Sequence, residues 1–154
     1  MIRYFAYGSN MSRAAMRRRC PDARALGPAV LEGYRFFVRL DGWGSVAPSR
    51  GACVHGVLWR LTPRCLAALH AYELLHKGLY CVRHLPVRVG SRRLSALVYV
   101  LCRRQPGRPK PGYLQAIAAA ARDWRLPERY VRSLERWSPS RFTGTRLSDV
   151  GDAA

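Results

Sequence analysis

IRYFAYGSNM, residues 2–11, is the stretch from which the fold can be worked out. Its first part is apolar and aromatic, as in a strand buried within a sheet. Gly8 lets the backbone turn sharply, and Ser9 and Asn10 are good caps for a helix expected to begin near Met11. Such a turn points several backbone N–H groups at one spot, which attracts an anion, a carboxylate or an oxyanion. An ordinary capped turn explains the same residues, so the stretch alone leaves both interpretations open.

The rest of the chain mixes strand and helix patterns. Thr62 and Pro63 form a clear helix start, because threonine caps well and proline suits the first helical position. Strands are predicted at 29–31, 34–40, 45–47, 53–61, 80–89 and 94–102, with a loop at 48–52 and a turn at 90–93, and helices at 12–20, 63–77, 113–124 and 126–137. The prediction is an α+β fold, a small mixed β-barrel-like sheet with flanking helices.

This pattern fits one domain over residues 1–137, followed by a loosely ordered tail at 138–154. The basic, Pro/Gly-rich segment 103–112 is expected to be a flexible linker, or a mobile flap.

Composition limits the class of protein. The chain has 154 residues, 49% apolar and 23% charged, which are globular values. It contains no apolar run of membrane-spanning length and no signal-peptide pattern at its N-terminus, so a cytoplasmic protein is expected. The five cysteines form no C-x-x-C pair and do not interleave with histidines at metal-site spacing. They are predicted to be buried reduced thiols, and no metal site or cofactor is expected.

The net charge of +18 comes from 27 basic and 9 acidic residues. Such a charge permits non-specific attraction to nucleic acid or to anionic surfaces. The arginines are spread along the chain without a long basic tail or aromatic interleaving. A general bias toward arginine therefore explains the charge better than a dedicated nucleic-acid function.

Glu73 is the only carboxylate between Asp41 and Asp123. It follows Leu66 by seven residues and Leu69 by four, so the three side chains share one helix face. That face is expected to pack inward, where a desolvated carboxylate can act as a general base and acid near neutral pH. A structural salt bridge to one of the many arginines is the alternative.

Several segments together resemble one enzyme family. YFAYGSNM at 4–11 is similar to the N-terminal signature of the γ-glutamylcyclotransferase (AIG2-like) family, and GYRFF at 33–37, HGVLW at 55–59, ELLHKGLY at 73–80 and the helical residues 113–130 follow in the family's order. The resemblance covers residues 2–137. It implies a barrel-like α+β fold and an enzyme that cyclises a γ-glutamyl group to 5-oxoproline with release of an amine or amino acid.

The resemblance also implies roles for individual residues. Glu73 corresponds to the family's general acid/base, and the loop Tyr7-Gly8-Ser9-Asn10 corresponds to the pocket for the glutamyl group, with Tyr80 as a further substrate-binding residue. Asn10 favours the branch that acts on γ-glutamyl amino acids. The chain departs from the family at His70 and Leu74, where Asp and Gly are common, and around Trp43, which leaves the substrate open.

Two other functions are compatible with the same residues. The same fold could serve as a basic binding module for RNA or an acidic partner. It could also carry a pathway-specific cyclotransferase that removes a γ-glutamyl protecting group. The oligomeric state is not indicated by the sequence.

Overall fold

The computed structural model describes residues 1–77, 80–101 and 105–140, without the side chains of 74–77, 80 and 101. Five strands and four α-helices are present in these ranges. The strands are β1 (Ile2–Ala6), β2 (Arg24–Val38), β3 (Gly44–Leu61), β4 (Tyr80–Val89) and β5 (Arg92–Leu101), and the helices are α1 (Arg13–Arg19), α2 (Pro63–Lys77), α3 (Tyr113–Asp123) and α4 (Glu128–Glu135). A short 3₁₀ helix, Ser9–Met11, lies between β1 and α1.

The strands close into a barrel in the order β1-β3-β2-β4-β5. Neighbouring strands are antiparallel except at the seam, where β1 and β5 run parallel and Tyr4 pairs with Leu97. Closure removes the exposed sheet edges on which strands of other chains could pair. The predicted α+β fold with a small mixed barrel is confirmed.

Two strands are longer than predicted. The predicted break between Leu31 and Tyr34 and the predicted loop at 48–52 are wrong, because β2 and β3 each run through these positions. Gly33, with φ of 79°, lies at a register shift between Glu32 and Tyr34. Glycine adopts this left-handed conformation without strain, so an irregularity in pairing is accommodated where the sequence suggested an end. The predicted turn at 90–93 is also shorter, because Arg92 and Arg93 already pair within β5.

The helices cover the barrel with apolar faces. The face of α3 is spaced as a helix requires, and its buried residues are Tyr113, Leu114, Ile117, Ala118 and Ala121. Val131 and Leu134 of α4 join the same core. The start of α2 is as predicted, because the Thr62 hydroxyl accepts a hydrogen bond from the Cys65 amide at 3.1 Å.

Residues 105–112 are held against the end of β2 and are not a free linker. Pro106 bridges to Arg39, the Gly107 amide donates to the Val38 carbonyl at 2.9 Å, and the Lys110 amide donates to the Gly42 carbonyl at 3.2 Å. The remainder of the predicted linker, 103–104, lies outside the described residues.

The cysteine prediction needs correction. Cys20 and Cys65 are buried and free as expected, but Cys53 is free and exposed and Cys81 is disulfide-bonded. Cys102 lies outside the described residues. Within the described ranges, no three His, Cys, Asp or Glu side chains are grouped so that they could hold a metal ion.

No helix in the described part of the chain is long and apolar enough to cross a bilayer. Most of the predicted tail, 141–154, lies outside the described residues, whereas 139–140 already have helical backbone where a loose tail was expected.

Candidate active site

The loop after β1 is built differently from the capped turn expected at Ser9 and Asn10. Neither side chain caps a helix, because residues 9–11 form the 3₁₀ helix and the cap of α1 is Ser12, whose hydroxyl accepts from the Ala15 amide at 3.2 Å. The Met11 amide donates to the Gly8 carbonyl at 3.0 Å, which closes the first turn. The amides of residues 8–10 precede that hydrogen bond and therefore have no acceptor within the turn.

Glu73 is buried, with 4% of its surface exposed. It lies on α2 one helical turn after Leu69, which is fully buried, so the predicted inward face of this helix is confirmed. A carboxylate at such a place must be surrounded by groups that stabilise it, because burying a bare charge is costly.

The charge of Glu73 raises the pKa of four tyrosine hydroxyls. Burial raises the pKa of each hydroxyl and the negative charge of Glu73 raises it further, at Tyr4, Tyr7, Tyr99 and Tyr113. These tyrosines come from β1, the loop after it, β5 and α3. All four hydroxyls therefore stay protonated at neutral pH, and each has one proton to donate in a hydrogen bond.

Hydrogen bonds fix three of these tyrosines. The Tyr7 hydroxyl donates to the Tyr99 carbonyl at 2.6 Å, which ties the loop to β5. The Tyr4 hydroxyl accepts from the Asn10 side-chain amide at 3.0 Å. The Tyr99 hydroxyl lies 2.8 Å from His70 Nδ1, one turn before Glu73 on the same helix. The loop and α2 are thus each tied to β5 by a hydrogen bond of Tyr99.

Tyr113 reaches the site from α3 because two glycines leave room for its hydroxyl. The Gly44 amide donates to this hydroxyl at 3.0 Å. A Cβ at Gly44 would lie 2.8 Å from the hydroxyl oxygen, and a Cβ at Gly8 would lie 3.2 Å from it. Any larger residue at Gly44 would push the hydroxyl away, whereas one at Gly8 would require it to move by only a few tenths of an ångström.

Arg39 adds a buried positive charge. It has 8% of its surface exposed and forms an ion pair with Asp41. Burial lowers its pKa, whereas the charges of Asp41 and Glu73 act in the opposite direction. The positive charge of Arg39 also opposes the rise in the pKa of Tyr7 and Tyr113. The site therefore contains a cation as well as a carboxylate, and it can receive a substrate that carries both charges.

The structure brings together most of the residues that the sequence singled out. Tyr7, Gly8 and Asn10 lie in or beside the 3₁₀ turn after β1, and the charge of Glu73 acts on Tyr7. The Ser9 hydroxyl is buried next to them, without a hydrogen-bond partner in the described part of the chain. Tyr80 begins β4 opposite Leu101, and its side chain lies outside the described residues.

Four further residues were missed from the sequence as members of the site. The sequence pattern indicated only strand positions for Tyr4 and Tyr99, and it did not distinguish Arg39 from the other arginines. Tyr113 was noted only as a tyrosine at the start of a helix. One signal in the sequence could have indicated them. Several tyrosines begin or end predicted elements, and buried tyrosines tend to direct their hydroxyls to a polar partner.

The described geometry can be compared with known proteins. The family model "Gamma-glutamyl cyclotransferase, AIG2-like" matches residues 4–126. This chain belongs to that family. It is 28% identical to the gamma-glutamylcyclotransferase of Mus musculus, over 95% of this chain and 83% of the relative, and 28% identical to that of Homo sapiens, over 97% and 85%.

A solved structure named "Gamma-glutamyl cyclotransferase" superposes on this chain with a TM-score of 0.81 at 25% identity, covering 93% of this chain and 91% of that one. The similarity therefore extends over the fold as well as the sequence. The γ-glutamylcyclotransferase family is a family of enzymes, and the expectation of an enzyme of this type is confirmed.

Proposed function

We propose that this protein cyclises the γ-glutamyl group of a γ-glutamyl amide to 5-oxoproline and releases the amine, with Glu73 as the general base and acid. The observation that carries the proposal is the burial of Glu73, whose charge acts on Tyr7 of the loop and on the hydroxyls of Tyr4, Tyr99 and Tyr113. The names of the relatives support the same reaction class.

The reaction needs one proton carrier. The α-amine of the γ-glutamyl group is protonated at neutral pH and must lose a proton before it can attack its own γ-carbonyl carbon. Glu73 takes that proton, and a new C–N bond closes the five-membered ring. The carboxylic acid then gives the proton to the departing nitrogen as the old C–N bond breaks. The ring nitrogen loses its second proton to solvent, so the lactam forms as the neutral amide and Glu73 ends as it began.

The loop and its neighbours hold the substrate. In this proposal the amides of Gly8, Ser9 and Asn10 donate to the oxyanion of the tetrahedral intermediate or to the α-carboxylate of the substrate. Arg39 offers a second, charged partner for that carboxylate. Tyr80 is retained as a proposed binding residue from its place in the family motif. The asparagine at position 10 of the family motif favours γ-glutamyl amino acids as the substrate class.

The test is an assay of 5-oxoproline release from a panel of γ-glutamyl amino acids and γ-glutamyl amines. Glu73→Gln keeps the size of the side chain and removes the base, so kcat should fall by about 10²–10⁴-fold. Glu32→Gln is the matched control, because Glu32 is an exposed carboxylate that pairs with Arg88 on the barrel surface. The proposal is refuted if the wild-type protein releases 5-oxoproline from no panel member, or if Glu73→Gln is as active as wild type.

A pathway-specific cyclotransferase that removes a γ-glutamyl protecting group would use the same residues. The panel distinguishes it, because such an enzyme would act on a γ-glutamyl amine and leave γ-glutamyl amino acids intact. That the reaction takes place in the cytoplasm stays a prediction from the sequence.

A second candidate function rests on a basic groove between α1 and α3. The groove has a volume of about 540 Å³, and its charged lining residues are Arg13, Arg17, Arg18, Arg19 and Asp123. Such a groove could bind RNA or an acidic partner. RNA affinity that survives physiological salt and depends on sequence would support this function, whereas affinity that vanishes with added salt would reflect net charge alone.

A further inference from the structure

Three arginines lie side by side across three neighbouring strands of the barrel. Arg3 of β1 pairs directly with Arg60 of β3, and Arg60 pairs on its other side with Arg24 of β2. Residues directly opposite one another on antiparallel strands project from the same face of the sheet. Arg3, Arg60 and Arg24 therefore form a row on one face, with Arg60 at its centre. We call these three residues the arginine row.

The arginine row carries charge that the described chain does not balance. Like charges directly opposite one another destabilise a sheet, and Arg60 has one on each side. Within residues 1–77, 80–101 and 105–140, no carboxylate forms an ion pair with a member of the row. Asp22, the acidic residue nearest to the row in sequence, is exposed. The enclosed Nε of Arg3 also has no hydrogen-bond acceptor in the same ranges. An anion bound along the row would therefore stabilise it.

A small pocket continues the row beyond Arg24. It lies between α1 and the barrel, has a volume of about 270 Å³, and is lined by Arg24 together with Arg13 and Arg17 of α1. Arg13 is paired with Asp123 at 3.2 Å, whereas Arg17 is exposed and has no ion pair among the described residues. Trp59 also lines the pocket, and its indole N–H has no acceptor in the described part of the chain. The pocket thus offers further hydrogen-bond donors that the fold leaves unused.

The chemistry of the row and the pocket fits linked phosphate groups. Guanidinium groups bind both carboxylates and phosphates, but a carboxylate has only two oxygens, and one arginine fork occupies both. A phosphate has further oxygens for a second arginine. Neighbouring members of the row are about 5 Å apart at Cβ, so a phosphate can be shared between two of them. The pocket is smaller than the about 300–1,000 Å³ that encloses a whole small-molecule ligand, and it suits a single terminal phosphate.

We propose that the arginine row and the adjoining pocket bind a short chain of linked phosphates. One end of the chain occupies the pocket at Arg24, and the remaining phosphates lie along Arg60 toward Arg3. Arg3 precedes the loop that begins at Tyr7 by about 13 Å of extended strand, so this site is separate from the candidate active site. The proposal does not depend on the proposed function.

Isothermal titration calorimetry with tripolyphosphate tests the site. The titration is carried out at about 0.15 M ionic strength, where distant exposed charges are screened. We expect one saturable site in the wild type. Arg60→Gln removes the central contact and should raise the Kd by about 10–100-fold, as expected for hydrogen bonds to a charged group. The triple variant Arg3→Gln, Arg24→Gln, Arg60→Gln should show no saturable binding.

The triple variant Arg83→Gln, Arg108→Gln, Arg129→Gln is the matched control. These arginines are exposed on β4, on the segment before α3 and on α4, and their replacement removes the same three charges from the net +18. The control should bind tripolyphosphate nearly as tightly as the wild type. An equal loss of affinity in the two triple variants, or no saturable binding in the wild type, overturns the proposal.

Linked phosphates occur free and in nucleoside triphosphates, so ATP is titrated in parallel. A Kd equal to that of tripolyphosphate assigns the site to the phosphate chain alone. A lower Kd for ATP that is raised in Arg60→Gln assigns it to a nucleotide, and both results support the proposal. Single-stranded RNA that displaces tripolyphosphate at an equal concentration of phosphate assigns the row to nucleic acid and overturns it.

Urea unfolding shows that loss of binding does not come from loss of the fold. Arg60→Gln relieves the repulsion within the row, so without ligand it should unfold at a higher urea concentration than the wild type. Tripolyphosphate should raise the unfolding midpoint of the wild type more than that of Arg60→Gln, because only the wild type binds it tightly. A lower midpoint for ligand-free Arg60→Gln, or an equal rise in both proteins, overturns the proposal.

Discussion

Gly44→Ala tests how tightly the Tyr113 hydroxyl is held in the site. A Cβ at this position would lie 2.6 Å from Phe36 Cε2, 3.0 Å from Phe36 Cζ and 2.8 Å from the Tyr113 hydroxyl oxygen. Gly44 does not have a positive φ, so the added methyl group acts through contact and not through backbone strain. Phe36 and Tyr113 are each 7% exposed, and neither side chain can swing into solvent to make room.

The expected loss of stability follows from these contacts. Overpacking of a filled core costs about 1–3 kcal/mol. The Gly44 amide also loses some of its hydrogen bond to Tyr113, which adds about 1 kcal/mol. Together these effects lower the free energy of unfolding by about 2–4 kcal/mol, which corresponds to a fall in Tm of about 4–16 °C for a chain of this size.

A double-mutant cycle with Tyr113→Phe isolates the contribution of the hydroxyl. Without the hydroxyl oxygen, Gly44→Ala meets only the Phe36 ring, so its cost should be about 1 kcal/mol smaller in the Tyr113→Phe background. Urea unfolding followed by circular dichroism measures all four corners of the cycle. Strict additivity of the two substitutions, or a Gly44→Ala protein as stable as wild type, would refute the reasoning.

Two further predictions concern helix capping and alkaline pH. Thr62→Ala removes the cap of α2 and should lower the free energy of unfolding by about 1 kcal/mol in urea, whereas Thr62→Ser should retain most of it. Because burial raises the pKa of Tyr4, Tyr7, Tyr99 and Tyr113 above the unfolded value of about 10, the unfolded state releases protons first and stability falls as pH rises above about 10. Absorbance at 295 nm should show these phenols ionising together with unfolding, and ionisation of all tyrosines before loss of circular dichroism would contradict this prediction.

The sequence predicts the parts of the site that depend on local patterns. Thr62 and Pro63 set the start of α2, and helical periodicity from Leu69 then places Glu73 on the buried face, as the structure has it. The motif from Tyr7 to Asn10 predicts a sharp loop after a strand. Each of these inferences uses neighbours within a few residues, where propensity and periodicity are informative.

The features of the site and fold that depend on contacts between distant residues could not be predicted from local sequence patterns. Ser12 and not Ser9 or Asn10 caps α1, because the Asn10 side chain is taken by Tyr4 and Arg19. The continuity of β3 through Pro48 depends on its pairing with Tyr34 of β2, since proline and glycine in sequence favour a loop. Arg39 differs from the other arginines only in what the fold packs around it.

The parallel seam between β1 and β5 bears on how the site forms as the chain is synthesised. Tyr4 leaves the ribosome more than ninety residues before its partner Leu97, so the first strand must wait for the last before the barrel can close. Tyr7, at the start of the loop, donates a hydrogen bond to the Tyr99 carbonyl of β5, and the charge of Glu73 acts on both tyrosines. A nascent chain that has not yet exposed β5 therefore has the loop and the helix but no assembled site. Contacts over such long separations slow folding, and we expect catalytic competence to arise at the end of barrel closure and not gradually along the way.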